Sequence, residues 1–117
     1  MSVNKFIEAC KSDDISVIEI YIKDGGDPSA DNNAAIRWAS HNGHVEVVKL
    51  LINDERVDPS IYNNAAIRWA SIEGHTDVVR LLLQDARVIK KGIELGQEIV
   101  LDYIMSERER KIIELCQ

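Results

Sequence analysis

The sequence predicts an all-α solenoid of stacked helix-turn-helix units, on three observations. Asn32-Asn33-Ala34-Ala35-Ile36-Arg37-Trp38-Ala39-Ser40 returns letter for letter from Asn63 to Ser71, an offset of 31 residues. The same offset relates Asp27-Pro28-Ser29 to Asp58-Pro59-Ser60, Gly43-His44 to Gly74-His75, and Val47-Val48-Lys49-Leu50-Leu51 to Val78-Val79-Arg80-Leu81-Leu82. Apolar residues between these markers recur at roughly helical spacing, and self-similarity at a fixed period is the signature of a repeat array.

Residues 3–11 read as the first helix, with Val3, Phe6, Ile7, Ala9 and Cys10 forming its apolar stripe. Asp13 and Asp14 then stand where a second helix begins and complement the positive end of its dipole, and Ile15, Val17, Ile18, Tyr21 and Ile22 supply its buried face. Asp24-Gly25-Gly26 ends that helix and Pro28 prevents its quick resumption. The unit spanning 1–29 lacks the double-Asn turn, as an N-terminal cap would.

The two internal units, 30–60 and 61–91, share one plan. Asn33 stands where its side chain could accept hydrogen bonds from the free amides of a helix over 34–40. Gly43 closes that helix, and the apolar run from Val45 to Ile52 forms the next. The copy has helices at 65–71 and 76–84 around the turn Ile72-Glu73-Gly74-His75. After Val88 the Asp-Pro-Ser is replaced by Ile89-Lys90-Lys91-Gly92, and an offset of 34 fits better. This spacing predicts a C-terminal cap over 92–117 with helices at 93–105 and 107–116. Ser106 and Glu109 have the separation of a capping box, and Glu107 to Lys111 give a solvated face.

Helix, Gly-His turn, helix and Asp-Pro connection together resemble the ankyrin repeat, whose consensus is roughly T-P-L-H-x-A-A-x-x-G-H-x-E-V-V-K-L-L-L-x-x-G-A-D-P. Ala39-Ser40, Gly43-His44 and Glu46 to Ile52 carry the match in one unit; Ala70-Ser71, Gly74-His75 and Asp77 to Leu83 carry it in the next. Ala34-Ala35-Ile36-Arg37 and its copy depart from T-P-L-H, and a shortened connection predicts a stubby finger. The double-Asn repeat style also resembles arrays of giant DNA viruses of amoebae and of some single-celled eukaryotes. The resemblance implies an ankyrin-type solenoid that binds another protein through its concave helix-end and finger surface, with no reaction and no cofactor. The alternative from a different class is a structural, self-associating element; a monomer is the expectation.

The chain has 117 residues, of which 45% are hydrophobic, enough for a continuous core. Its net charge of −6 and the absence of any basic run longer than Lys90-Lys91 argue against nucleic acid and anionic membranes as partners. No apolar stretch approaches the ~20 residues of a membrane span, and the opening residues do not read as a secretory signal, so a cytoplasmic location is expected. Cys10 and Cys116 lie near opposite ends of the array, some three spacings of roughly 10 Å apart, beyond the reach of a disulfide. With His41, His44 and His75 they make too few suitably spaced ligands for zinc. No phosphate loop or partnered nucleophile is present, which points away from an enzyme.

Trp38 and Trp69 read as an inter-unit stacking pair in the core in preference to an exposed binding platform. Arg37 and Arg68 admit two readings: a guanidinium turned onto the turn carbonyls or onto Asp27 or Asp58, or a two-arginine groove for a partner's carboxylate. His44 and His75 read as structural residues of the turns. The contact candidates are positions that differ between units or border the finger. They are Asp31, Asn33, Arg37, His41, Asn42, Tyr62, Asn64, Arg68, Ile72 and Glu73, with Tyr62 as the foremost.

Overall fold

The structure is a computed structural model that describes residues 1–116. Among them are eight helices: α1 (Val3–Lys11), α2 (Ile15–Lys23), α3 (Ala30–His41), α4 (Val45–Ile52), α5 (Ile61–Ile72), α6 (Thr76–Leu82), α7 (Ala86–Leu95) and α8 (Glu98–Leu115). Each of the first three pairs is antiparallel neighbours joined by a tight turn. Units stack by α3 packing between α1 and α5, and α4 against α6. The result is elongated, 54 × 28 × 24 Å.

Local chemistry sets the helix ends. The Ser2 hydroxyl accepts from Lys5 N (3.2 Å) and the Asp14 carboxylate from Val17 N (3.4 Å), which satisfies amides that no helical carbonyl reaches. Asp27 accepts from both Ser29 N (2.9 Å) and Ser29 Oγ (2.7 Å), and Asp58 repeats this on Ser60. Each Asp-Pro-Ser is thus a self-bonded turn. Every helix contributes fully buried side chains, among them Phe6, Ile18, Ile36, Leu51, Ile67, Leu82, Val88 and Val100, and these make a core that runs unbroken through the stack. Phe6 also lies flat on Tyr21, with ring centroids 4.0 Å apart.

The structure upholds the first of four expectations and corrects the other three. First, α3 and α5 open at Ala30 and Ile61, but Asp31, Asn32, Asn33 and their copies Tyr62, Asn63, Asn64 have left-handed backbone, so the right-handed helices run from 34 and 65, as expected. Asn and Asp tolerate this conformation; Tyr62 does so with strain. Second, Asn33 does not cap its own helix. Its side-chain oxygen accepts from Asp58 N of the following connection at 2.9 Å.

Third, the last helix pair is α7 and α8, so the expected boundary before residue 92 falls inside α7. Asp85-Ala86-Arg87-Val88 repeats Asp54-Glu55-Arg56-Val57, and both Asp-Arg pairs are doubly bonded. From that shared start the chain stays helical instead of forming an Asp-Pro-Ser turn. Gly96, left-handed at φ 64°, ends α7, and Ser106 and Glu109 lie within α8, where no capping box exists. Glu107 to Lys111 are solvated as expected apart from the half-buried Glu107, which pairs with Arg110. Residue 117 of the expected cap lies outside the described residues. Fourth, the two tryptophans are not core: Trp38 is 40% exposed and Trp69 44%.

Candidate functional site

The exposed indoles follow from helix geometry. Ile36, Ala35 and Ala39 face the core, and Trp38 stands about 200° around the helix from Ile36 at 100° per residue. The copy places Trp69 opposite Ile67 in the same way. His41, from the last turn of α3, inserts between the rings: its centroid is 5.8 Å from Trp38 and 5.2 Å from Trp69, both edge-to-face. Lys11 Nζ of α1 lies 4.4 Å from the Trp38 ring centroid, on the side of the preceding unit. Lys11, Trp38, His41 and Trp69 therefore form a ladder across three units. Between the indoles opens a groove of about 300 Å³, lined by Arg37, Trp38, His41, Ala65 and Trp69.

This face is held rigidly from behind. His44 Nε2 donates to Lys11 O (2.8 Å) and His75 Nε2 to His41 O (3.0 Å), so each Gly-His turn bonds the end of the preceding unit's first helix. The histidines are structural, and their bond crosses between units. Asn42 Nδ2 also donates to Lys11 O (3.1 Å), which leaves its Oδ1 to accept from His41 Nδ1 (3.0 Å). That bond puts a hydrogen on His41 Nδ1, and Nε2 faces Glu73 Oε1 at 3.9 Å.

The arginines settle on the turn. Arg37 Nε donates to Asn32 O (3.3 Å) and its Nη2 to Asp31 O (3.5 Å); Arg68 repeats the pair on Asn63 O and Tyr62 O, both at 3.0 Å. Left-handed backbone turns these carbonyls away from any helical partner, and the guanidinium takes them. Asp27 and Asp58 are bonded by serines instead. The Ser29 hydroxyl and amide hold the Asp27 carboxyl below the usual carboxylate range, with Arg56 a smaller influence. Tyr62, 52% exposed, carries the Arg37 guanidinium 5.0 Å from its ring centroid.

Of the ten sequence-derived contact candidates, Arg37 and His41 line the groove, Tyr62 lies against Arg37 and Glu73 against His41, and Arg68 holds the place of Arg37 one unit further on. Asp31 and Ile72 are exposed at the finger and at the end of α5, Ile72 by 69%. Asn33 and Asn64 are buried and serve the scaffold. Asn64 Nδ2 donates to Val88 O and to Gln97 Oε1, both at 2.9 Å. Its amide is turned over relative to Asn33 because Ile89 N, unlike Asp58 N, is already bonded to Asp85 O within α7. Asn42 is half buried and bonded to Lys11 O and His41. Of the other groove residues, sequence reasoning placed Trp38 and Trp69 in the core and missed Ala65.

A family model of ankyrin repeats, in three copies, matches residues 6–93. The chain belongs to the ankyrin-repeat family. Comparison with the curated proteins and with the solved structures returned no match. Ankyrin repeats are generally modules for binding other proteins, and the family is typically non-enzymatic. In this ankyrin array no helix among the described residues is long and apolar enough to cross a membrane. Nor do the described residues gather three or more His, Cys, Asp or Glu side chains as metal ligands. Cys10 is buried and its thiol is pushed up to about 12 by desolvation, while Cys116 is exposed.

Proposed function

We propose that this ankyrin array is a non-catalytic protein-binding module whose contact surface is the face carried by α1, α3 and α5, centred on Trp38, His41 and Trp69. The observation that carries the reading is the pair of half-exposed indoles at the same position of adjacent units, with a groove between them. Trp, Tyr and Arg dominate the energetics of protein interfaces, and Trp38, Trp69, Tyr62, Arg37 and Arg68 stand together here. The ring ladder is fixed by the His44, His75 and Asn42 hydrogen bonds, so little order remains to be lost on binding. His41, Glu73 and Ile72 supply contacts toward one end of the face, Asp31 and Tyr62 toward the finger.

The test is affinity capture from the source cell with wild-type protein and with a Trp38→Ala/Trp69→Ala double variant, each shown folded by circular dichroism. A bound protein retained by wild type and lost from the variant supports the face. Equal capture by both would remove it.

A second reading, self-association, is favoured by α8, where Ile112, Ile113 and Leu115 are 59%, 57% and 86% exposed. Sedimentation over a concentration series separates the two. Dimerisation abolished by Ile112→Lys/Leu115→Lys would assign α8 to it, and a concentration-independent monomer would rule it out.

A further inference from the structure

Resting on the protein-binding reading, we propose that the groove takes an extended acidic segment of the partner, in which one bulky apolar side chain lies between two carboxylates three residues apart. The apolar side chain enters the cleft of about 300 Å³ between Trp38 and Trp69, a volume at the lower limit for ligand pockets and suited to one large side chain. The carboxylates meet Arg37 and Arg68.

The case rests on how these two arginines are held. Each spends Nε and one Nη2 hydrogen on backbone carbonyls, which orient the guanidinium without cancelling its charge. A guanidinium has five N–H donors, so the end carrying the remaining Nη hydrogens stays free for a carboxylate, preorganised for a two-bond grip. Among the described residues no carboxylate forms an ion pair with either one. Lys11 is answered by Glu8 at 3.2 Å, and Glu73 faces His41. Both arginines occupy the same place in successive units, so they are separated by one stacking distance of about 8–10 Å. A polyproline II segment brings residues i and i+3 onto one side about 9.3 Å apart, which matches that separation.

Other occupants fit less well. A cationic ligand meets Lys11 on Trp38 and Arg37 at the groove wall. A nucleic acid strand could stack on the indoles, but the chain's net charge of −6 opposes a phosphate backbone beyond the groove itself.

The probe is a phage library of random dodecapeptides, selected on the folded wild-type chain and depleted on the Trp38→Ala/Trp69→Ala variant. The winning peptide is then synthesised and titrated by tryptophan fluorescence, with single-stranded oligothymidine as a second titrant. The expected winner has two Asp or Glu three apart around an aromatic or leucine residue. Its affinity should fall at least about tenfold with Arg37→Gln or Arg68→Gln, and also when the peptide's own acidic residues become amides, a change that leaves the protein untouched. Rising salt should weaken it. Indole-dependent peptides that are basic or uncharged would overturn the acidic occupant and leave the protein-binding reading standing. No indole-dependent peptide would overturn both. Oligothymidine binding tighter than the winning peptide would overturn the proposal in favour of nucleic acid.

Discussion

Replacing Gly43 by alanine should cost far more than replacing Gly74, although both glycines have φ +77° and the same place in their turns. A Cβ at Gly74 meets nothing within 4 Å, so Gly74→Ala carries only the left-handed backbone penalty, about 1–2 kcal/mol for an L-residue. A Cβ at Gly43 would stand 2.5 Å from His75 Nδ1 and 2.7 Å from its Cε1. The ring cannot swing aside and keep its Nε2 bond to His41 O. Gly43→Ala therefore adds the lost hydrogen bond and leaves a half-buried carbonyl without its partner, roughly a further 1–3 kcal/mol. Urea unfolding with linear extrapolation measures both variants. The mechanism also makes a demand on the double variant: in a His75→Ala background, Gly43→Ala should cost no more than Gly74→Ala does in wild type. Equal costs for the two glycines in wild type, within about 0.5 kcal/mol, would refute the argument that His75 reads the preceding turn.

Asn64→Ala should destabilise by about 1–3 kcal/mol, seen as a lowered urea midpoint, because Val88 O and Gln97 lose a buried donor; an unchanged midpoint would show the bridge to be idle. Burial alone would raise the Asp85 carboxyl, but hydrogen bonds from the Arg87 side chain and backbone outweigh it and leave the group below its usual value. A depressed carboxylate stabilises the fold above its unfolded pKa of about 3.9, and that contribution is lost as pH falls through the lower folded value. Stability measured from pH 5 to pH 2 should thus decline less steeply in Asp85→Asn than in wild type; parallel declines would count against the Asp85 shift. A thiol reagent at pH 8 should modify one cysteine per folded chain, Cys116, with Cys10 reacting only on unfolding. Rapid reaction of both would place Cys10 at the surface.

The repeat offset made most of the fold legible. Identical markers at fixed spacing locate α1 to α6 because every internal unit solves the same packing problem. The last pair escaped because its helices obey two offsets: 31 residues through Asp85-Arg87, then a different spacing once α7 replaces the turn. Asp85 was the readable sign, since an Asp one turn before an apolar pattern starts a helix. The tryptophans were misplaced for another reason. Size and apolarity argue for burial, yet the position of Trp38 opposite Ile36 argues for exposure, and position prevails where Ala35 and Ala39 already fill the inter-unit contact. Asn33 and Asn64 were recognised as turn residues, but their bonding across units depends on the stack, which no local pattern encodes.

The left-handed turn at Tyr62 has a stereochemical consequence. At φ 53° and ψ 51° this residue occupies the mirror image of the ordinary helical backbone, where a D-amino acid would sit at ease. A chain assembled by chemical ligation with D-tyrosine at that one position would relax the backbone, but its Cβ would leave the peptide in the opposite sense and carry the ring away from Arg37. Only the L-enantiomer, at the cost of strain, aims the phenol along the arginine face. Handedness at a single α-carbon thus sets the direction of the most exposed ring on this surface.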